Sequence, residues 1–254
     1  MGVEEKLVTL GLVHAAEEYG EVTRKATTQK LCYGEFLGAL LESELTHRRR
    51  RKEAMLMKLA NLPVVKTFEG FDFSFNPSVE KRIIDELKST RFVEERQNLL
   101  LLGPPGVGKT HIAIALGVEV IKNGFTTYFT TVDEITRRLK STKEEGFTRR
   151  MKAYTRTSLL IIDEMGYLPL NRDEANLLFS VVNSRYERGS IIITSNKSVT
   201  KWGEYLSDHV LATAILDRLL HHSYVIVIKG KSYRLKNRII QTEEDKNDFS
   251  KNAV

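Results

Sequence analysis

The chain has 254 residues, of which 41% are hydrophobic, and a formal net charge of +6. This length allows one α/β domain with a small appendage, and the single cysteine, Cys32, excludes an intrachain disulfide framework and a Cys/His zinc cluster. The first ten residues carry Glu4 and Glu5 where a signal peptide needs basic residues, and no stretch approaches ~18 apolar residues. We therefore expect a cytoplasmic protein that does not use a membrane.

The first part of the chain has the pattern of a small helical domain. Residues 1–60 lack proline and place apolar residues at helical spacing. A proline, a glycine and three alternating phenylalanines then interrupt this pattern and indicate a packed connector: Pro63, Gly70, Phe71, Phe73 and Phe75. We predict a helical domain over 1–61, a second domain over 62–241, and a frayed polar tail over 242–254.

From Pro77 onward, apolar runs alternate with helical patterns. The runs predict five strands: Asn98 to Leu102, Thr126 to Thr130, Ser158 to Ile162, Ser190 to Thr194 and Tyr224 to Ile228. Helices are predicted over Val79 to Lys88, His111 to Asn123, Val132 to Thr142 and Ala175 to Arg188. Continuous apolar strands between helices predict a parallel sheet covered on both faces. Thr131 and Glu134 predict a capping box before the helix that follows the second strand.

A phosphate-binding motif lies between the first predicted strand and the next helix. It is GxxxxGK[ST], read here as Gly103, Pro104, Pro105, Gly106, Val107, Gly108, Lys109 and Thr110. In such a loop the backbone N–H groups and the helix start surround phosphate oxygens. We expect Lys109 to contact the β and γ phosphates, Thr110 to offer a hydroxyl to Mg²⁺, and the adjacent His111 to belong to the nucleotide-binding set. The alternative is a glycine-rich turn that binds no nucleotide.

Polar residues follow the third and fourth predicted strands. Asp163 and Glu164 come 54 residues after Lys109, and we expect Asp163 to hold the Mg²⁺ shell and Glu164 to orient the attacking water. Asn196 reaches the same sheet edge and is a candidate to hold this water or to sense the γ phosphate. The alternatives are an acidic pair that only ends a strand and an asparagine in an ordinary loop.

Longer segments resemble a known family. They are GPPGVGKTH, LLIIDEMGYLPL, FSVVNSRYERGSIIITSN, ILDRLLHH and GKSYRLK, with YGEFLGALLESELTHRRRRK and FEGFDFSFNPSVEK in the N-terminal part. Over nearly its whole length the chain resembles the IstB family of ATP-binding transposition helpers, which is similar to the helicase loader DnaC and the initiator DnaA. The resemblance implies an AAA+ P-loop NTPase core, an α/β fold with a five-stranded parallel sheet between helices, preceded by a small N-terminal helical domain.

The same resemblance implies roles for three residues in ATP hydrolysis. Asn196 corresponds to the first sensor, Arg218 to the arginine finger that a neighbouring subunit supplies, and Arg234 to the second sensor. A guanidinium stabilises charge that develops at the γ phosphate, so assembly becomes part of the predicted active site. The alternative for Arg218 is a surface ion pair with Asp217 or another carboxylate.

Two segments hold most of the excess positive charge. Residues 47–58 have six basic side chains against Glu53 alone, and residues 137–156 have eight, Lys143 among them, against Glu144 and Glu145. A charge run is often only a solvated face, but the family that the chain resembles works on DNA. We predict phosphate contacts with weak sequence selectivity and strong salt dependence. The predicted DNA-binding residues are Arg48, Arg49, Arg50, Arg51, Lys52, Arg137, Arg138, Lys140, Arg149 and Arg150.

Two other groups are weaker candidates. His221 and His222 lie before the last strand without a partner at metal-ligand spacing, so we expect no metal there. The alternating phenylalanines are more typical of packing or of a contact near adenine than of stacking on nucleic-acid bases.

Together these observations predict an ATPase that converts ATP and water to ADP and phosphate and assists an insertion-sequence transposase. With ATP and Mg²⁺ bound, its subunits assemble as a ring or helix on duplex target DNA, and hydrolysis regulates target selection. Strand transfer belongs to the transposase, because the sequence contains no further carboxylate cluster for a metal. Two alternatives remain: a DnaC-like helicase loader that binds single-stranded DNA, and a P-loop kinase, which needs an acceptor pocket that the sequence does not reveal.

Overall fold

The computed structural model describes residues 1–141 and 144–234. Lys143, the predicted tail over 242–254 and the end of the predicted second domain from residue 235 lie outside the described residues. Contacts divide the chain into two compact units, Met1–Leu56 and the remainder from Met57. Among the described residues, no helix is both long and apolar enough to cross a membrane.

The first unit is helical, as predicted. Its helices are α1 (Val3–Thr9), α2 (Val13–Gln29) and α3 (Tyr33–Leu59), and α3 contains the division point between the units. Ala15, Leu40 and Glu44 are buried here. Glu44 accepts the Ala15 N–H at 3.0 Å, at the start of α2, so a carboxylate on α3 caps a neighbouring helix.

In the second unit, the described residues form a single parallel sheet with helices around it. The strands are β1 (Asn98–Leu102), β2 (Thr127–Thr131), β3 (Leu159–Met165), β4 (Ser190–Ser195) and β5 (Ser223–Val227), in the order β2-β3-β4-β1-β5. The helices are α4 (Lys81–Lys88), α5 (Arg91–Glu94), α6 (Lys109–Lys122), α7 (Val132–Lys140), α8 (Glu144–Thr155), α9 (Arg172–Arg185), α10 (Trp202–Tyr205) and α11 (His209–Leu220). The predicted five-stranded parallel sheet is confirmed.

The sheet separates two apolar cores, because successive strand residues point to opposite faces. Leu99 and Leu101 of β1 enter the core that α6 covers, whereas Leu100 and Leu102 enter the core on the α7, α9 and α11 side. All four leucines are at most 6% exposed. Both faces of β1 are therefore apolar, as expected for a strand inside the sheet, between β4 and β5.

The cap of α7 and the start of α9 differ from the prediction. Thr131 accepts the Glu134 N–H at 3.1 Å, but the Glu134 carboxylate accepts from Thr130 and pairs with Arg138 instead of returning to the cap, so only half of the capping box forms. A complete capping box occurs at α9 between Asn171 and Glu174. That cap starts α9 at Arg172, three residues before the predicted start.

Candidate nucleotide-binding site

The phosphate-binding motif forms a tight loop between β1 and α6. Gly103 has φ of +152°, and a Cβ there would lie 2.1 Å from the carbonyl oxygen of Ile228, which follows β5. Gly106 has φ of +80°, and a Cβ there would lie 2.1 Å from the Ser232 hydroxyl oxygen. Glycine is required at both positions, because the chain after β5 packs directly on the loop.

Lys109 begins α6 and folds back over the loop. Its ammonium donates to the carbonyl oxygens of Gly103 and Pro104, both at 2.7 Å. The side chain is buried, and this burial lowers the pKa of Lys109, while the nearby Asp163 carboxylate acts in the opposite direction. The Lys109 ammonium therefore lies against the backbone of the loop with which this motif binds phosphate.

Thr110 and Asp163 meet across the sheet edge. The Thr110 hydroxyl lies 3.0 Å from Oδ1 and 3.2 Å from Oδ2 of Asp163, which is only 5% exposed. One residue begins α6 and the other lies in β3, so the fold brings them together from 53 positions apart. A hydroxyl and a carboxylate are hard oxygen ligands of the kind that Mg²⁺ prefers, and this donor set fits that ion.

Glu164 and Asn196 leave neighbouring strands at the same edge. Glu164 is exposed and has φ of +65°, and its N–H donates to the Thr194 hydroxyl at 3.2 Å. Asn196 follows β4 and is also exposed, with Oδ1 2.9 Å from the place where a Cβ on Gly166 would stand. Two predicted residues thus share the edge at which Asp163 lies.

Thr194 is a site residue that the sequence analysis did not identify. It is 2% exposed, donates to the Asp163 carboxylate and accepts from the Glu164 N–H. In the sequence, Thr194 lies two residues before the candidate Asn196. Because alternate residues of a strand point to the same face, this spacing could have indicated that Thr194 belongs to the site.

A cavity of about 400 Å³ lies against the loop. The connector contributes Val64, Phe71 and Phe75 to its lining, and the segment after β5 contributes Tyr233 and Arg234. The ring of Phe75 packs edge-on against Tyr233 at 5.0 Å. Two of the three alternating phenylalanines, Phe71 and Phe75, therefore line a cavity beside the phosphate loop, and the Arg234 side chain lines it too.

His111 also lines this cavity and anchors the connector. Its Nε2 lies 2.8 Å from the Thr67 carbonyl oxygen, and its ring packs edge-on against Phe71 at 5.3 Å. Phe71 in turn packs against Phe73 at 4.8 Å. The first turn of α6 thus holds the connector in place over the loop.

Arg218 does not line this cavity. On α11, its Nε donates to Asn183 Oδ1 at 2.8 Å, its Nη1 donates to the Ala214 carbonyl oxygen at 2.9 Å, and its guanidinium stacks 5.0 Å above the Phe179 ring. Among the described residues it forms no ion pair with Asp217. The guanidinium lies half-buried on the α9–α11 surface.

The predicted DNA-binding residues fall into two groups. Most are held by the protein itself: Arg48 by Glu44 and the Gly11 carbonyl oxygen, Arg49 by Glu42, Arg137 by Asp133, Arg138 by Glu134 and Tyr128, Lys140 by Glu174, and Arg150 by the Arg138 carbonyl oxygen and Ser141. The others are exposed and have no ion pair or hydrogen bond to a described residue: Arg50, Arg51, Lys52 and Arg149. The two basic runs are therefore not uniform surfaces.

The fold brings a third residue with a possible ligand atom to the two histidines. Glu187 approaches His221 and His222 so that one ligand atom from each residue lies within 4.8 Å of the others. The turn after α9 brings Glu187 to this place from more than 30 residues away, and sequence spacing does not reveal such a partner. All three side chains are exposed.

The strand order and the loop geometry place the second unit in the AAA+ class of P-loop NTPases. Three solved structures share this fold. AMPPCP-bound DnaA from Aquifex aeolicus matches with a TM-score of 0.56 and 20% identity over 72% of this chain and 56% of that chain. DnaI matches with a TM-score of 0.55 and 22% identity over 72% of this chain and 98% of that chain. The DnaC helicase loader matches with a TM-score of 0.51 and 25% identity over 67% of this chain and 97% of that chain.

Sequence comparison identifies the family. The profile of the family described as IstB-like ATP binding protein matches residues 5–241. The chain is 44% identical to the ATP-binding protein of insertion sequence IS5376 from Geobacillus stearothermophilus, over 96% of this chain and 98% of that protein. It is 46% identical to the ATP-binding protein of insertion sequence IS21 from Pseudomonas aeruginosa, over 93% of this chain and 89% of that protein. The chain belongs to the IstB-like ATP-binding protein family, as its motifs predicted.

Proposed function

We propose that the protein is an ATPase that assists the transposase of an insertion sequence by assembling on duplex target DNA. The observation that carries the proposal is the meeting of Lys109, Thr110, Asp163 and Glu164 at one sheet edge, in a chain whose relatives are ATP-binding proteins of insertion sequences. Such an ATPase acts in the cytoplasm, where ATP and the target DNA are both found.

Nucleotide binding follows from the contacts of the loop. The backbone N–H groups of residues 106–110 surround the phosphates, and Lys109 exchanges its two carbonyl partners for phosphate oxygens. The adenine enters the apolar cavity beside Phe71, Phe75 and Tyr233, with Arg234 directed toward the phosphates. His111 contributes by fixing the connector that forms this cavity.

Thr110 and Asp163 are the residues that would hold Mg²⁺, and this ion, when bound, neutralises phosphate charge. Glu164 projects from the sheet edge and orients the water that attacks the γ phosphate. Asn196 leaves the adjacent strand at the same edge and fixes the position of this water. Because each group is fixed by the strand or helix that carries it, hydrolysis depends on positioning more than on new covalent chemistry.

Arg218 completes the site of a neighbouring subunit. Within its own chain the guanidinium contacts Asn183, Ala214 and Phe179 and lies away from the phosphate loop. Assembly therefore controls hydrolysis, because a single subunit lacks the cation that stabilises the transition state.

Mixing two inactive variants tests this arrangement. Arg218→Ala keeps its own Glu164, and Glu164→Gln keeps its own Arg218, so we expect each variant alone to hydrolyse ATP on the order of a hundred-fold more slowly than wild type. In an equal mixture, random neighbours restore about a quarter of the wild-type rate. The double variant Arg218→Ala/Glu164→Gln is the matched control and should restore nothing. A mixture as slow as its components would contradict a finger supplied by the neighbour.

DNA binding is assigned first to the exposed residues that have no partner within the described chain. Arg50, Arg51 and Lys52 follow one another on α3, and Arg149 lies on α8. Arg48, Arg138 and Arg150 serve mainly to hold the helices, because their guanidinium groups donate to the protein itself. Binding through phosphates predicts weak sequence selectivity and a steep loss of affinity with salt.

A helicase loader is the second candidate function. The likeness to DnaC, at 25% identity and a TM-score of 0.51, favours it, although the relatives over the full chain are insertion-sequence proteins. The two functions differ in their nucleic acid, since a loader binds single strands and a transposition helper binds duplex target DNA.

A further inference from the structure

Asp163 and Glu164 occupy a bulge in β3. Ile162 pairs with Ile193 and Met165 pairs with Ser195, so the two acidic residues stand opposite the single residue Thr194. Glu164 has φ of +65°, a conformation that non-glycine residues rarely adopt and that the surroundings must maintain. Bulges next to active sites redirect side chains, and this one turns Glu164 out to solvent while Asp163 stays buried.

The Thr194 hydroxyl serves both residues of the bulge. It donates to Asp163 Oδ1, the oxygen that also lies 3.0 Å from the Thr110 hydroxyl, and it accepts the Glu164 N–H at 3.2 Å. Because Thr194 is 2% exposed, bulk water has little access to replace these bonds. One buried hydroxyl thus links the proposed metal ligand to the backbone of the proposed water-orienting residue.

We propose that Thr194 is the positioning residue of the acidic pair. It turns the Asp163 carboxylate toward Thr110 and holds Glu164 in the left-handed conformation that directs its carboxylate away from the sheet. This inference rests on the proposed ATPase function. Valine has the shape of threonine without the hydroxyl, whereas serine keeps the hydroxyl, so the two substitutions separate hydrogen bonding from packing.

The test uses the full chain with Thr194→Val, Thr194→Ser and the matched control Thr127→Val. Thr127 is a buried strand threonine, 3% exposed, whose hydroxyl has only a 3.4 Å bond to the Gly117 carbonyl oxygen. Two quantities are measured: kcat and KM for ATP, and the rise in Tm on adding ATP with Mg²⁺ or ATP with EDTA.

We expect Thr194→Val to lower kcat about ten-fold or more and to lose the part of the Tm rise that needs Mg²⁺. The rise with ATP and EDTA should persist, because the phosphate loop is intact. Thr194→Ser and Thr127→Val should resemble wild type in both measurements.

Two results would overturn the inference: a Thr194→Val protein with wild-type kcat and Mg²⁺-dependent Tm rise, or equal losses in Thr194→Val and Thr127→Val. If wild type binds ATP without hydrolysing it, the proposed ATPase function fails, and the Mg²⁺-dependent Tm rise still decides the role of Thr194 toward Asp163.

Discussion

Arg185 carries a guanidinium into the protein interior, where it is 1% exposed. Its Nη1 donates to the carbonyl oxygens of Tyr154 and Thr157 at 2.7 and 2.9 Å, and its Nη2 to those of Ser158 and Ser190 at 3.1 and 2.7 Å. No carboxylate among the described residues pairs with it. Burial lowers the pKa of Arg185 to about 10, so the group is still charged at pH 7. Arg185 therefore ties the end of α8 to the starts of β3 and β4.

Replacing Arg185 by methionine should strongly destabilise the protein. The carbonyl groups would lose their donor in a buried place, and we expect the free energy of unfolding to fall by roughly 3 kcal/mol. Arg188→Met, at an exposed neighbouring arginine, is the control and should change it by less than about 0.5 kcal/mol. Urea unfolding at pH 7 measures the free energy of unfolding of both variants. Equal unfolding midpoints for the two would contradict a stabilising role of the Arg185 hydrogen bonds.

The residues of the candidate site differ in how visible they are in the sequence. Lys109 and Thr110 belong to one contiguous motif, and Asp163 and Glu164 follow an apolar strand, so local pattern was enough to select them. Thr194 donates a hydrogen bond to Asp163, which lies 31 positions away in the sequence. This contact depends on the pairing of β3 with β4, which a local sequence pattern does not reveal. The roles of all five in hydrolysis remain predictions, and the variants of Glu164 and Thr194 described above test two of them.

At the level of elements, strands were easier to predict than their irregularities. Apolar runs marked all five strands to within a few residues, because parallel strands buried on both faces contain few polar residues. The extension of β3 to Met165 was missed, since a bulge is defined by the partner strand. Helix α7 begins at Val132 as predicted, with Thr131 as its N-cap, but the Glu134 carboxylate contacts Thr130 and Arg138 instead of completing the capping box.

Helix α3 illustrates why a charge run is not one surface. Arg48 lies one turn after Glu44 on the same face, and its guanidinium binds Glu44 and the Gly11 carbonyl oxygen. Arg50 and Arg51 lie at other angles around the helix and are exposed. Helical periodicity therefore divides the run into an arginine that holds the helices and exposed residues that we propose contact DNA.

The Glu44 contact predicts a pH dependence. The hydrogen bond from the Ala15 N–H, followed by Arg48, lowers the pKa of Glu44 below its usual range. Because the folded-state pKa is lowered, the added stability is present above the unfolded-state pKa of about 4.3 and is lost as the pH falls through the folded-state value.

Glu44→Gln should therefore lower the Tm at pH 7, and the difference from wild type should shrink as the pH approaches about 3. Glu4→Gln, at an exposed carboxylate of α1, is the control and should follow wild type at every pH. Thermal unfolding followed by far-UV circular dichroism measures this. A Tm difference that stays constant between these pH values would contradict a stabilising role of the ionised carboxylate.

The proposed function of the whole molecule needs three properties, ATP binding, DNA binding and assembly, which belong to different residues. The proposed ATP site lies in the second unit. Arg50, Arg51 and Lys52, which have no ion pair to a described residue, lie on α3, and Arg218 has its proposed partner in another subunit. We expect the assembly on DNA to need bound ATP, the basic residues and contacts between subunits. The size of the complex formed on DNA therefore reports on all three properties.

Sedimentation velocity with MgATP, on a short duplex and on the matching single strand at low and high salt, measures that size directly. We expect Glu164→Gln to form large complexes on the duplex that dissociate at high salt, and Lys109→Ala to form none, because it cannot hold the nucleotide. Adding Arg50→Ala, Arg51→Ala and Lys52→Ala to Glu164→Gln should weaken the complexes and reduce their salt dependence, whereas Arg149→Ala alone should have a smaller effect. Complexes that prefer the single strand would point to a helicase loader, and a Glu164→Gln protein that stays monomeric on both DNAs would contradict the account.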